Sequence, residues 1–345
     1  MSDTSKLCDD KCLPNVPRGQ RRVLPDNEYP YDDYSATSST TTTTTTTTTL
    51  FPQSLNNLVE FPESDPACPI IWPEGTVAPE PDIFATSGGL VQTYTLNDVI
   101  YKSHTFLSDG FFSVEISSDD QTAFINADVL LVGGGGGGGR IEYNNQFGGG
   151  GGAGGFLATI SKLRKGTYTV IVGDGGVAGQ NGEDSTFNYL VAKGGGSGGG
   201  FGQNGRTGGS GGGAGAGTDT TGGAGTAYQG FAGGSVIDTF NGSAAGGGGA
   251  SVTARNIEEG FETGNGANGL TNNYRDGSNT FYAGGGAGGK STGTVTGGTG
   301  GGGSYNGGSL GDGTPNTGGG GAGGLGSSTN GGTGGKGIVI IRYRI

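Results

Sequence analysis

Histidine is almost missing from this chain. His104 is the only one. A Ser-His or Cys-His catalytic pair is therefore scarcely supported, and a histidine-based metal site is excluded. His104 falls in an expected strand and reads as a structural residue. Cysteine is nearly as scarce. Cys8, Cys12 and Cys68 are too few and too unevenly spaced for a zinc site. Reduced thiols are expected, with a disulfide between Cys8 and Cys12 or between subunits as the alternative. Charged residues make up 14% of the chain, against about 25% in typical domains. The first 132 residues are strongly acidic, with a net charge of −13 (19 acidic, 6 basic), which argues against binding nucleic-acid phosphates and against docking on anionic membranes. No run approaches the roughly 20 apolar residues that cross a bilayer. The start, Met1-Ser2-Asp3-Thr4-Ser5-Lys6, lacks the basic-then-apolar pattern of a signal peptide. Catalytic motifs are missing too. Gly288-Gly289-Lys290-Ser291-Thr292 comes closest to a phosphate loop but lacks a strand before it and a helix after it. Asp174, Asp219, Asp238, Asp276 and Asp312 are too scattered for calcium-binding repeats. Glu183-Asp184 and Glu258-Glu259 read as solvated loops. No enzyme activity, cofactor or metal is expected.

What is present in excess is glycine, 84 of 345 residues, against about 7% in typical chains. All but Gly19, Gly75, Gly88, Gly89 and Gly110 lie between Gly133 and Gly337. Proline is distributed the other way, and only Pro315 lies beyond Pro81. The chain thus has two compositional halves that meet near Val132. The first carries 19 acidic and 6 basic residues, and the second 11 and 12.

Residues 1–82 read as an extended, acidic anchoring arm, disordered in isolation. Proline fixes φ and removes a backbone donor, and the threonine run Thr40 to Thr49 buries little apolar surface. Short anchors at Phe51, Leu58, Phe61, Ile70, Ile71 and Trp72 are expected to order on a neighbouring subunit of a larger assembly. A solvated linker or a glycosylated threonine stalk is the plainer reading.

Residues 83–132 are expected to form a small β region. Tyr101 to Phe106 and Phe111 to Ile116 flank Leu107-Ser108-Asp109-Gly110 and suggest a hairpin. Asp128-Val129-Leu130-Leu131-Val132 is a further apolar strand. Thr167 to Val172, Thr186 to Val191 and the closing Ile338 to Ile345 are later strand candidates. A terminal strand as apolar as Ile338-Val339-Ile340-Ile341 is rarely left free. It is expected to pair with the strands near Val129 and Val170. Helix signals are nearly absent, and Ala158 to Arg164 allows a turn or two at most.

Glycine-rich blocks recur at 133–139, 148–155, 194–200, 208–217, 246–249, 284–289, 297–303, 318–324 and 331–337. A flexible linker does not normally alternate with strand-like segments or end in a run of isoleucines. A collagen helix needs Gly at every third position and abundant Pro, and neither occurs. The remaining possibility is a bundle of polyglycine II helices, with three residues per turn and about 3.1 Å rise per residue. Bare backbones then approach closely enough to satisfy one another's N–H and C=O groups. Gly is required at every inward position, and Ala, Ser or an aromatic fits only at the rim. The fold class expected for 133–345 is therefore all-β with a polyglycine II bundle on a small sheet or sandwich base, closed by 338–345.

Several patches beyond the glycine content resemble a known family. Phe106 to Gly110, Asp128 to Gly139 and Gly148 to Phe156 resemble the opening of the glycine-rich domain of phage tail-fibre and virion proteins. Gly166 to Gly173, Gly182 to Phe187 and Gly334 to Tyr343 resemble its middle and its closing strand. The resemblance spans roughly residues 90 to 345. It implies a virion appendage, made in the host cytoplasm, that displays loops to a host-surface glycan or protein. A homo-oligomer is expected, a trimer by analogy, joined to other virion proteins through the arm. Decoration of a capsid or neck, or a filament, is the alternative. Aromatics stack on sugar rings at small entropy cost. Tyr143, Phe147, Phe201, Tyr228, Phe231, Tyr274 and Tyr305 are therefore the candidate receptor contacts. For each, capping the edge of the glycine bundle is the competing role.

Overall fold

The computed structural model describes residues 84–116, 123–142, 146–237, 242–258, 263–306, 309–326 and 330–345. The arm and its six expected anchors lie outside them. Among the described residues the fold is all β, with no α-helix. The strands are β1 (Phe84–Ser87), β2 (Leu90–Leu96), β3 (Val99–Phe106), β4 (Gly110–Ile116), β5 (Ile125–Val132), β6 (Phe156–Leu163), β7 (Gly166–Ile171), β8 (Ser185–Phe187) and β9 (Leu190–Ala192). They are followed by β10 (Leu270–Asn272), β11 (Thr280–Tyr282), β12 (Thr294–Val295), β13 (Tyr305–Asn306), β14 (Ser309–Leu310) and β15 (Ile338–Arg344).

Two five-stranded antiparallel sheets form a sandwich, one in the order β1-β4-β7-β8-β9 and the other β2-β3-β15-β5-β6. Alternation explains the core between them. Phe112, Val114 and Ile116 of β4, Val170 of β7 and Phe187 of β8 face Ile125, Ala127, Val129 and Leu131 of β5 and Val339, Ile341 and Tyr343 of β15. Each fully buried side chain of this size stabilises by about 1.5–3 kcal/mol. The second sheet is covered on its other face as well. There Leu130, Val132, Ile338 and Ile340 pack on Ala153, Phe156, Ala250, Tyr282 and Ala283. Burial on both faces is why β5 and β15 are apolar at successive positions instead of alternating.

Four local expectations change. The hairpin around Asp109-Gly110 does not form. β3 pairs with β2 and β15 while β4 pairs with β1 and β7, so the turn crosses between sheets. Phe106 and Phe112 must meet from opposite sides of one core, which a hairpin within one sheet prevents. The Asp109 carboxylate accepts the Val172 N–H at 2.9 Å and ties the crossing to the end of β7. Ala158 to Arg164 is not helical. Residues 156–163 pair along their whole length with β5, and that pairing overrides the weak helix preference. β15 pairs with β5, as expected near Val129, but its other neighbour is β3, and Val170 lies across the core from it. Thr186 to Val191 is two short strands, folded back at Asn188-Tyr189. Both turn residues have positive φ, 43° and 68°, as a two-residue hairpin turn requires.

Beyond the sandwich the glycine runs form a hydrogen-bonded lattice. The run leaving β5 shows the rule. The N–H groups of Gly133, Gly136 and Gly139 donate to Gly155, Gly152 and Gly149 at 3.0, 2.9 and 2.8 Å. Those of Gly134 and Gly137 go to Glu183 and Gln180, and those of Gly135 and Gly138 to Gly335 and Gly332. Its carbonyls accept from Gly195 and Gly198, from Gly176 and Gly179, and from Gly321 and Gly324. Each partner strand recurs every third residue, and six backbones surround the run. That is the repeat of a three-residue-per-turn helix packed hexagonally. A Cβ added at any of Gly133 to Gly139 would stand under 3.0 Å from a neighbouring carbonyl oxygen.

The side-chain exceptions are not confined to the rim as expected. Ala153, Ala214, Ala216, Ala287 and Ala322 are fully buried. Four of these methyls point into apolar seams where runs meet side chains. Ala214 packs with Val236, Ala245 and Ile257, Ala216 with Phe147, Ala287 with Val295 and Tyr305, and Ala153 beneath the second sheet.

At the lattice edges one device repeats. Asn265 accepts the Thr296 N–H at 3.0 Å through Oδ1, while the Gly266 N–H donates to the Thr296 carbonyl at 2.9 Å. Asn268-Gly269 grips Thr299 in the same way, Asn204-Gly205 grips Thr221, and Asp312-Gly313 grips Thr333. Asn256-Ile257 does so with Ser235. Each carboxamide or carboxylate supplies the acceptor that a missing outer backbone would have provided. Asn-Gly, which in sequence reads as a hairpin turn, serves here as a two-point clamp on a neighbouring backbone.

Candidate functional site

Sandwich and lattice are joined by direct continuation of the chain. β5 runs into Gly133 to Gly139, β9 into Lys193 to Gly200, and β7 into the segment 172–179, whereas 148–155 and 330–337 enter β6 and β15. The registers above make 194–200 and 174–179 parallel to the first run, and 148–155 and 332–335 antiparallel to it. All of these therefore turn at the end remote from the sandwich. Seven residues at about 3.1 Å each set that end roughly 22 Å beyond Val132.

The turns enclose a cleft of about 380 Å³, lined by Arg140, Ile141, Glu142, Gln146, Ala178 to Gln180, Ser197 to Phe201, Gln203, Asn204 and Arg206. A second cleft of about 280 Å³ shares Arg140 and Ala178 and adds Val177, Asn330, Gly331 and Thr333. The floor is glycine backbone already committed to the lattice. The walls are the exposed side chains of Arg140, Glu142, Gln180, Phe201, Gln203 and Arg206. Asn204 is held in place by its clamp on Thr221. Among the described residues Arg140 and Arg206 make no ion pair, unlike Lys193 with Asp184, Lys336 with Asp174 and Arg342 with Asp128. Ser197 is the only position in Gly194 to Gly200 with a side chain. It is buried, its N–H donates to Asn181 Oδ1 at 2.9 Å, and its hydroxyl has no partner.

The aromatic candidates do not converge. Tyr143 lies outside the described residues. Phe147 and Tyr305 are 6% and 3% exposed and pack in apolar seams of the lattice. Tyr274 is half-buried against the second sheet, its ring 4.0 Å from the Arg342 guanidinium carbon. Tyr101 covers Arg342 at 4.4 Å. Arg342 also donates to Asp128, Tyr94 and Asn273, and so docks the 273–275 turn on the sheet. Gly277, at φ +85°, lies against the Tyr94 ring where a side chain would collide. Phe201, Tyr228 and Phe231 are exposed. Of these only Phe201 stands at the remote cleft; Tyr228 neighbours Gln229, which bonds Val191 and Lys193 at the sandwich end. The cleft residues Arg140, Gln180, Ser197, Gln203 and Arg206 were missed in sequence. The available signals were a serine interrupting a pure glycine run and an arginine directly after Gly139.

Among the described residues no three metal-ligating side chains cluster. An all-β sandwich whose strands continue into a polyglycine lattice, with turns gathered at its far end, is a class of fold defined by its glycine runs. Residues 112–344 match the glycine-rich domain family, and the chain belongs to that family. No curated protein matches the chain.

Proposed function

We propose that this chain is a non-enzymatic structural protein of a virus particle, an appendage whose far loops attach to a host surface. The observation that carries this reading is the lattice itself. Six-neighbour backbone bonding around Gly133 to Gly139 makes a stiff spacer without a conventional core, and it holds a set of loops away from the sandwich. Such a part suits presentation. The resemblance to phage tail-fibre and virion proteins supplies the setting, and the acidic first half suits a chain that avoids nucleic acid and membrane.

Antibody raised against residues 133–345 should label a surface feature of particles in electron micrographs, and purified protein should compete with particle adsorption to host cells. Absence of label from particles would overturn the reading.

A second reading is decoration of a capsid or neck through the arm. It is favoured by β2, the edge strand of its sheet among the described residues, where Leu90 and Val91 are 61% and 52% exposed, a template for strand addition. Deleting residues 1–82 should then abolish incorporation into particles while the glycine lattice still forms.

A further inference from the structure

We infer that the larger cleft at the far end of the lattice binds an anionic saccharide, a sugar bearing a carboxylate. This rests on the proposed attachment role and specifies its ligand.

The charge argument comes first. Arg140 and Arg206 project beside one cleft, with Glu142 the single carboxylate in its lining and no ion pair to either arginine among the described residues. A guanidinium offers a planar fork of donors that matches a carboxylate, and an unpaired one leaves that fork available. The two arginines are far apart in sequence. The bond from the Arg206 N–H to the Ser197 carbonyl, at 2.9 Å, together with that from the Gly198 N–H to Gly137, brings them to the same end.

The remaining walls fit a sugar better than a protein. Gln180 and Gln203 offer amide donors and acceptors to hydroxyl groups. Phe201, 39% exposed, offers one ring face for stacking. A protein partner would need a deep apolar anchor pocket. Among the described residues, the only other large apolar side chain in the lining, Ile141, is buried. Ser197 also lines the cleft with a buried hydroxyl that has no partner. Buried hydroxyls without a partner also occur at Ser210 and Tyr282, away from this cleft, so the assignment is carried by the two arginines, the glutamines and Phe201.

The test is calorimetric titration of the full chain with oligogalacturonate, alginate and sialyl oligosaccharides, each beside its methyl-esterified counterpart. At least one acid is expected to bind about tenfold or more tightly than its ester, and to lose that advantage in the R140Q/R206Q variant. Amide exchange of Gly133 to Gly139 in that variant should equal the wild type, which separates loss of ligand from loss of fold. Equal binding of acid and ester, no binding of any acid, or an unaffected variant with intact exchange would overturn the inference. If the full chain attaches to host cells while every acid fails, the saccharide assignment falls and the attachment role stands. If an acid binds as expected but the chain neither labels particles nor competes with adsorption, the cleft stands and the virion role falls.

Discussion

His104 shows how a single polar residue is accommodated inside the sandwich. It is fully buried, stacked on Tyr343 and edge-on to Phe112. Its Nδ1 lies 2.7 Å from the Gly88 carbonyl, so that nitrogen carries the proton. Nε2 then accepts from the Thr86 hydroxyl at 2.9 Å, and Thr86 in turn meets the Tyr343 hydroxyl. Every position in this chain of bonds is filled by a neutral imidazole. Burial holds the His104 pKa below its ordinary value, opposed by the Gly88 bond and assisted by Lys102. The unfolded chain therefore takes up the proton first as pH falls. Stability is fully present above the unfolded value of about 6.5 and is lost below it, by at most about 1.4 kcal/mol per pH unit. Urea midpoints taken between pH 7.5 and pH 5 should fall more steeply for wild type than for H104Q. Parallel curves would show that His104 is not the group responsible.

The elements differ in how far they could be read from the sequence, and the reason is which neighbours each depends on. β5 and β15 announce themselves because both faces are buried, so Leu130-Leu131 and Ile338 to Ile341 are apolar throughout. β6 does not, because residues 156–163 become a strand only by pairing with β5. The turn at Asp109 carries a hairpin signal that the two-sheet core overrides. The glycine runs are legible as ordered rods from composition and from the strands between them, but their register is not, since identical residues cannot specify which run lies beside which. The cleft shares that obscurity, because Arg140, Gln180 and Arg206 meet only once the register is set. What helps to set it are the side-chain clamps. Replacing Asn265 by Ala removes the acceptor for the Thr296 N–H and should cost about 0.5–1.5 kcal/mol, with faster amide exchange at Thr296. Replacing it by Asp should be nearly neutral, because Asp312 already grips Thr333 through the same atom at 2.7 Å. Equal losses for Ala and Asp would show that the amide nitrogen, not Oδ1, matters at this position.

At the scale of the whole molecule, the question is what stabilises a region with so little side chain to bury. Ordering a residue costs about 1–2 kcal/mol, and glycine loses the most freedom. Net backbone bonds return about 0.5–1.5 kcal/mol each, so the runs hold only if nearly every N–H and C=O is used and close contact adds dispersion. Both conditions require the absence of Cβ atoms, and that makes the lattice cooperative in a way an oily core is not. A side chain in an ordinary core displaces its neighbours locally. A methyl at Gly136 meets the Gly196 carbonyl, which is itself bonded to the Gly152 N–H, so the whole run must move away from its parallel neighbour. G136A should therefore cost more than the roughly 1–3 kcal/mol of ordinary overpacking. Amide exchange should speed up at Gly195 and Gly198, which donate to this run, as well as at Gly136 itself. G110A is the control, since the nearest atoms there are in the Phe106 ring at 3.4 Å, and it should leave the exchange pattern unchanged. If G136A is as mild as G110A, or if Gly133 to Gly139 already exchange at unfolded rates in the wild type, the runs are not a bonded solid and cannot act as a stiff spacer for the far loops.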